Sequence, residues 1–496
     1  MPWPEPSRTV WAALVVLAWL GICLQAWRGW RAGRVTAAGA DHLPVAYASQ
    51  GGQARAIAER SAAQLSSAGL PARAVPLEAL DLASPPPRLL LVASTYGDGE
   101  APDHAARFAQ RLQQPGLDLR SLEYALLGLG DRQYPRFCAF ARQLDRHLRA
   151  RGATPLFDRL EADGADPAVL RHWQQQLGQL AGHAEFSDWQ GADYQSWRLT
   201  RRRCLNPGSQ GAPLFHLHLT PASGTPDWQA GDIAEIGPRQ PAERVAALLA
   251  ALQLEGAAPL ADGGTLSEAL SRRQLPDEPG ELHGLSHEQL LERLPRLAHR
   301  AYSIASLPVD GGLELLVRQV RHTDERLGLA SGWLCRQAAP GATIDLRIRA
   351  NPAFRLPGDC GPLILIGNGS GLASLRAHLR ERQRLGQHGH WLLFGERNAA
   401  HDRPFAEELE RWRDSGHLAR LDLAFSRDGD TPVYVQHRLR DAADELRAWI
   451  GRGATLLVCG SLRGMGREVD ALLHGLLGAA EVERLREAGR YRRDLY

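Results

Sequence analysis

Arg88-Leu89-Leu90-Leu91-Val92-Ala93 runs directly into Ser94-Thr95-Tyr96-Gly97-Asp98-Gly99-Glu100. A short run that is apolar after its first residue, closed by hydroxyl, aromatic and glycine residues, reads as a strand buried on both faces with a polar loop at its carboxyl end. Two further segments repeat the arrangement. Pro44-Val45-Ala46-Tyr47-Ala48 leads into Ser49-Gln50-Gly51-Gly52-Gln53-Ala54 and a helix from about Gln53, and Tyr124-Ala125-Leu126-Leu127-Gly128-Leu129 leads into Gly130-Asp131-Arg132-Gln133-Tyr134. Buried strands alternating with helices predict an open, doubly wound parallel sheet, in which ligands bind beyond the carboxyl ends of the strands. The first loop is a tight turn at a helix N-terminus, where backbone N–H groups and the positive dipole end suit a phosphate.

Outward from this module the texture changes. A helical stretch runs to about Ala184. From Gln195 the chain alternates with β character, in Leu214-Phe215-His216-Leu217-His218-Leu219 and Gly231-Asp232-Ile233-Ala234-Glu235-Ile236, as antiparallel barrel strands do. Residues 239–298 are Leu/Ala-rich and read as a helical insert. Pro362-Leu363-Ile364-Leu365-Ile366-Gly367-Asn368-Gly369-Ser370-Gly371-Leu372-Ala373 is an apolar strand entering a glycine-rich turn and a helix, the arrangement that holds a pyrophosphate. A length of 496 residues agrees with about three domains.

The formal charge of +2 gives no electrostatic reason to expect nucleic acid. Six scattered cysteines, with no paired or metal-spaced set, read as reduced thiols in a cytosolic compartment and predict no metal site. Val10 to Trp27 is an 18-residue run in which Gln25 is the one strongly polar side chain, long enough to cross a bilayer. Trp3, Trp11, Trp19, Trp27 and Trp30 crowd it, and Arg28, Arg31 and Arg34 follow, against Arg8 before. The positive-inside rule then places the body in the cytoplasm behind a single-pass anchor in the cytoplasmic membrane. The alternative is a cleaved signal peptide ending near Ala38-Gly39-Ala40, which the arginines after the run oppose.

The three loops, with the extended forms Ser94–Glu100 and Gly128–Phe137, resemble the flavodoxin-like FMN domain of the diflavin reductases, a family that includes the sulfite reductase flavoprotein and the microsomal haemoprotein reductase. The resemblance continues through Arg203-Cys204-Leu205-Asn206-Pro207-Gly208-Ser209, close to the sulfite reductase branch, and through Arg300-Ala301-Tyr302-Ser303-Ile304-Ala305-Ser306 with Gly328-Leu329-Ala330-Ser331-Gly332-Trp333-Leu334. It then covers Phe394-Gly395-Glu396-Arg397, Phe425-Ser426-Arg427-Asp428, Val433-Tyr434-Val435-Gln436-His437, Val458-Cys459-Gly460 and the tail Tyr491-Arg492-Arg493-Asp494-Leu495-Tyr496. Covering residues 43–496, it implies, behind the anchor 1–30 and the small, polar linker 31–42 read from composition, a multidomain α/β chain: FMN domain 43–184, an FAD-binding antiparallel β-barrel 195–358 with insert 239–298, and a ferredoxin-reductase-like, Rossmann-type NADP-binding domain 359–496.

By the same resemblance FMN lies on Ser49, Gln50, Gly51, Gly52, Gln53, Ala54, Ser94, Thr95, Tyr96, Gly97, Gly130, Asp131, Tyr134 and Phe137. Here Gly51 and Gln53 stand where the family has hydroxyl residues. FAD falls to Arg300, Tyr302, Ser303, Gly328, Leu329, Ala330, Ser331 and Tyr496, with the arginine fork suited to a pyrophosphate. NADP falls to Gly367, Gly369, Ser370, Ser426, Arg427, Tyr434, Gln436 and Cys459, although Pro432 replaces a lysine and Asn368 and Ser374 replace prolines. The resemblance implies hydride passage from NADPH to FAD, assisted by Ser303, Cys459 and Asp494 once Tyr496 leaves the flavin, then single electrons to FMN and on to an external acceptor. A membrane haemoprotein is the expected acceptor. A sulfite reductase flavoprotein subunit, a ferric or flavin reductase, and a non-catalytic membrane scaffold with decayed flavin sites are the alternatives.

Overall fold

The computed structural model describes residues 42–496 except 50–51, 96–100, 103–104, 115, 133, 135, 165, 183–185, 187, 190–193, 262 and 352–353. The expected anchor and almost all of the linker lie outside the described residues. Among those described, no helix is long and apolar enough to cross a membrane. The chain divides into two compact units, Met1–Phe186 and Ser187–Tyr496.

In the first unit the order is β1 (Leu43–Ala48), α1 (Gln53–Ser67), β2 (Ala72–Pro76), β3 (Arg88–Ser94), α2 (Ala106–Gln113), β4 (Glu123–Gly130), α3 (Ala139–Ala150), β5 (Thr154–Pro155), β6 (Leu160–Asp163) and α4 (Pro167–Leu180). The sheet is parallel in the order β2-β1-β3-β4-β5, with β6 continuing along β4 beyond β5. Alternate residues of β3 bury into opposite helical layers, Leu89 and Leu91 to one side and Leu90 and Val92 to the other. Two-sided burial is why the strands read as unbroken apolar runs. Trp173 of α4 is fully buried, and its indole N–H donates to Ser61 of α1 at 2.9 Å, so the largest core side chain leaves no orphan donor.

The second unit opens with β7 (Gln195–Cys204), β8 (Leu214–Pro221) and β9 (Ile233–Gly237). The insert follows as α5 (Ala242–Leu252), α6 (Leu266–Ser271) and α7 (His287–Arg293). It is less helical than its composition suggests, because Pro259, Pro276, Pro279 and Pro295 and the Gly263-Gly264 pair interrupt it. Its helices share a small leucine core of their own, including Leu248, Leu266 and Leu290. Then come β10 (Arg300–Ser303), β11 (Leu313–Arg318), α8 (Leu329–Gly332) and β12 (Thr343–Arg349). The antiparallel order is β10-β9-β12-β7-β8-β11, and the bridge Ile304↔Leu315 joins its two ends, so the sheet closes on itself.

The remainder is β13 (Leu363–Asn368), α9 (Leu372–Arg384), β14 (His390–Glu396), α10 (Ala406–Asp414), β15 (Leu418–Phe425), α11 (Val435–Asp441), α12 (Ala443–Gly451), β16 (Thr455–Gly460), α13 (Arg467–Leu477), α14 (Ala479–Glu487) and β17 (Tyr491–Leu495). Its parallel sheet runs β15-β14-β13-β16-β17, and the strand order reverses between β13 and β16. That reversal opens the crevice in which such sheets bind dinucleotides.

The boundary expected at 358/359 runs through a shared core: Leu214, Ala305, Leu316 and Phe354 from the barrel side pack with Leu363, Leu372 and Leu375. Asn206 and Ser209 donate to Asp402 at 3.0 and 2.9 Å, so the 203–209 motif clasps the barrel to the dinucleotide sheet. Arg376 on α9 meets Glu314 on β11 at 2.6 Å and the Ala305 carbonyl at 2.8 Å. Burial alone would raise the Glu314 carboxyl, but the hydrogen bond from His216 and the Arg376 charge outweigh it and hold it at about 2. A folded value below the unfolded one, near 4.3, means this carboxylate stabilises fully above that pH and loses its contribution as pH falls toward 2. Glu314→Gln should therefore lower stability at pH 7 by about 3 kcal/mol and flatten the acid limb between pH 5 and 2. Denaturant titration at several pH values, followed by tryptophan fluorescence, checks both effects.

Candidate functional site

Because β1, β3 and β4 are parallel neighbours, their three loops emerge at one sheet edge. Gly52 takes φ +81° at the entry to α1, a left-handed conformation that favours glycine. Gly52 brings no side chain to cap α1 and no acid stands in its first turn, which leaves the dipole at its head suited to an anion. Ala54 is buried beneath this turn and Gln53 is exposed. At the end of β3, beyond Ser94, the Thr95 amide donates to Leu129, while its buried hydroxyl has no hydrogen-bond partner among the described residues. An unpartnered buried hydroxyl at a strand end is where a polar ligand atom fits. At Gly130 a Cβ would lie 2.7 Å from the Cys138 nitrogen, so glycine lets the third loop fold back. That loop carries exposed Asp131, Tyr134 with 50 % of its surface open, and Phe137 beneath the Arg132 guanidinium. Tyr134 thus offers a flat apolar face, the complement of a flavin ring. Gln50, Gly51, Tyr96 and Gly97 lie outside the described residues.

The second site forms where the barrel meets the dinucleotide sheet. Parallel pairing of β16 with β17 sets Asp494 beside Cys459. Ser303, last in β10, donates to Asp494 Oδ2 at 2.9 Å, and the Cys459 thiol approaches the same oxygen at 3.7 Å. Complete burial pushes the Cys459 thiol well above its ordinary range, and the Asp494 charge adds to this. Cys459 is therefore a neutral donor rather than a thiolate nucleophile. Burial likewise raises the Tyr302 phenol, which stays neutral beside Ser303. Arg300 heads the same strand, its guanidinium 3.3 and 3.2 Å from the carbonyls of Ala298 and His299.

In the Gly328–Leu334 turn, expected to hold FAD, the Ser331 hydroxyl accepts from the Val320 amide at 3.0 Å and lies 3.3 Å from the Gly328 carbonyl. Its side chain braces the turn, leaving the backbone from Gly328 through Leu329 and Ala330 to approach a diphosphate. Across the crevice, a Cβ on Gly367 would lie 2.8 Å from the Cys459 carbonyl, and one on Gly371 would collide with it. These glycines allow the loop and β16 to approach each other. Gly369 (φ +58°) faces Arg318, which pairs with Glu396 and donates to the Ala212 carbonyl at 2.9 Å. Arg318 reads in sequence as the end of an ordinary apolar strand; antiparallel pairing with β8 brings its cation to the glycine loop. Ser370 Oγ stands 3.1 Å from the Tyr496 hydroxyl, and 42 % of the Tyr496 residue surface is exposed.

Of the four residues expected at the adenosine phosphate, the structure presents two openly. Arg427 is exposed with no side-chain partner among the described residues, and Tyr434 is 46 % exposed, edge-on to His437. Ser426 braces the strand end through the Glu396 carbonyl at 3.3 Å. Gln436 is buried and its amide donates to Glu468, holding α11 to α13. The open guanidinium, the acid-free head of α1 and the Thr95 hydroxyl fit phosphate-bearing cofactors.

Iodoacetamide at pH 8 should alkylate the half-buried Cys204 and Cys360 of native protein at least about tenfold faster than Cys459, which should react once the chain unfolds. Peptide mass spectrometry reads this directly, and rapid native labelling of Cys459 would contradict its assignment as a neutral donor.

Residues 45–173 match the flavodoxin family, and residues 365–470 match the oxidoreductase NAD-binding domain family. The sulfite reductase (NADPH) flavoprotein alpha-component of Vibrio cholerae serotype O1 is 32% identical, covering 94% of this chain and 89% of the relative. That of Photobacterium profundum is 30% identical over 92% and 89%, and that of Neisseria meningitidis serogroup C is 29% identical over 100% and 98%. A relative 32% identical over 94% of the chain shows that the chain belongs to the diflavin reductase family, as an NADPH-dependent flavoprotein oxidoreductase that uses FAD and FMN.

Proposed function

We propose that this chain is the flavoprotein component of an NADPH-driven sulfite-reducing system, taking electrons in at the Ser303–Cys459–Asp494 junction and delivering them singly from the FMN edge to a haem-bearing partner. The observation that carries the electron-entry reading is one buried carboxylate receiving donors from the barrel and from the dinucleotide sheet. When bound, FAD supplies two-electron acceptance from a nicotinamide and FMN supplies one-electron release. The chain's own part is positional. Asp494 holds the Ser303 proton and leaves that oxygen lone pairs to offer, Cys459 remains neutral, and Tyr496 covers the entry until nicotinamide displaces its ring. Arg427 and Tyr434 receive the adenosine phosphate end. The amides at the head of α1, with Thr95, hold the FMN phosphate despite Gly51 and Gln53.

The near full-length relatives support a sulfite reductase component over the free-standing haemoprotein reductase expected from the apolar N-terminal run. That run keeps the second reading in play, because a chain held at a membrane by Val10–Trp27 would sit beside membrane haemoproteins.

Release and chromatography of the flavins from purified protein should give one FAD and one FMN, and NADPH should bleach both. FAD alone would overturn the path through FMN, and a colourless protein would favour a scaffold. Electron delivery to a purified sulfite-reducing haemoprotein, compared with a membrane haemoprotein, ferric chelates and free flavin, then separates the acceptors. Tyr496→Ala should shift the preference from NADPH toward NADH by on the order of tenfold in kcat/KM; an unchanged ratio would remove the ring-cover assignment.

A further inference from the structure

We propose that Asn368 is a positioning residue that ties the dinucleotide loop to the seat of Tyr496. Asn368 is the last residue of β13, immediately before Gly369 and Ser370. Its side chain crosses the crevice: Oδ1 accepts from the Ser461 amide at 3.0 Å, and Nδ2 donates to the Ser461 hydroxyl at 3.2 Å. The amide fits there because residue 460 is glycine. Gly460 has φ +137°, and a Cβ on it would collide with Asn368 Oδ1.

The residues on either side of Ser461 hold the backbone of Tyr496. Its amide donates to the Gly460 carbonyl at 3.0 Å, and its carbonyl accepts from the Leu462 amide at 2.9 Å. Asn368 therefore braces the centre of a three-residue seat whose two ends hold the covering tyrosine. Ser370, two residues along the same loop, touches the phenol hydroxyl at 3.1 Å. One short segment thus grips Tyr496 twice, through its backbone seat and through its ring.

The two grips differ in what breaks them. A dinucleotide engaging the 369–371 turn competes for the Ser370 hydroxyl and frees the ring, whereas the Asn368–Ser461 pair is made within the protein. The ring then moves by side-chain rotation about a fixed backbone, and Asp494, two residues earlier in β17, keeps its place beside Cys459 and Ser303. This inference rests on the electron-entry reading above.

The test compares Asn368→Ala, which removes both bonds, with Asn368→Asp, whose carboxylate can accept from the Ser461 amide and hydroxyl alike. Hydrogen–deuterium exchange on the flavin-loaded protein is read first. Asn368→Ala should raise exchange of peptides spanning 459–463 and 493–496 by about tenfold while 363–367 stays protected, and Asn368→Asp should retain wild-type protection. In stopped-flow reduction by NADPH, Asn368→Ala should lower the limiting rate about tenfold with the apparent Kd within about twofold. Asn368→Asp should keep the limiting rate and weaken Kd, because it sets a negative charge at the phosphate loop. Wild-type exchange and rate in Asn368→Ala, or Asp behaving as Ala in exchange, would overturn the proposal. Should the alanine variant fail to hold FAD, Asn368→Ser, too short for either bond, replaces it against Asn368→Asp. A wild-type protein that NADPH does not reduce would defeat the electron-entry reading, while the exchange comparison would still decide the clamp.

Discussion

The buried carboxylate of Asp494 is the constraint around which the second unit is organised. Its position comes from β17 lying parallel to β16, and its partners come from two different sheets, Ser303 from the barrel and Cys459 from its neighbour strand. A buried carboxylate is costly unless donors surround it. Both sheets must therefore stay in register with each other, and the Glu314–Arg376 pair and the Asp402 clasp hold them there. The same closeness accounts for the glycines at 367, 371 and 460, each of which lies against another backbone or side chain where a Cβ would intrude.

Electrostatics at the junction also sorts its chemistry. The Cys459 thiol, pushed up by burial and by the Asp494 charge, is neutral at physiological pH. With Ser303 and a neutral Cys459 as donors to its carboxylate, the junction excludes thiolate side reactions. The Arg318–Glu396 pair adds a cation beside the glycine loop, with Glu396 itself raised by burial despite its partner.

The first unit shows how much a parallel sheet writes into its sequence. Two-sided burial makes the interiors of β1, β3 and β4 apolar runs, so their positions and the loops they deliver are legible without a structure. Shorter pieces are less so. β5 and β6 carry no apolar run, because each merely continues the edge of β4. The insert reads as more helical than it is, since leucine content reports burial in a small core and the prolines decide where the helices stop.

What the sequence by itself determined is the chemistry available in each loop: glycines and hydroxyls at strand ends, an arginine fork, a cysteine and an aspartate near the tail. Those depend on local periodicity and residue type, which a single chain displays openly. What only the tertiary structure decided is which of them meet. Asp494 finds Ser303 across 191 positions, Asn368 finds Ser461 across 93, and Arg318 reaches a glycine loop on another sheet. Gln436, placed by motif beside Arg427, turns inward to Glu468. Strand order and register set those meetings, and they arise from packing between elements distant in sequence, for which no local pattern exists.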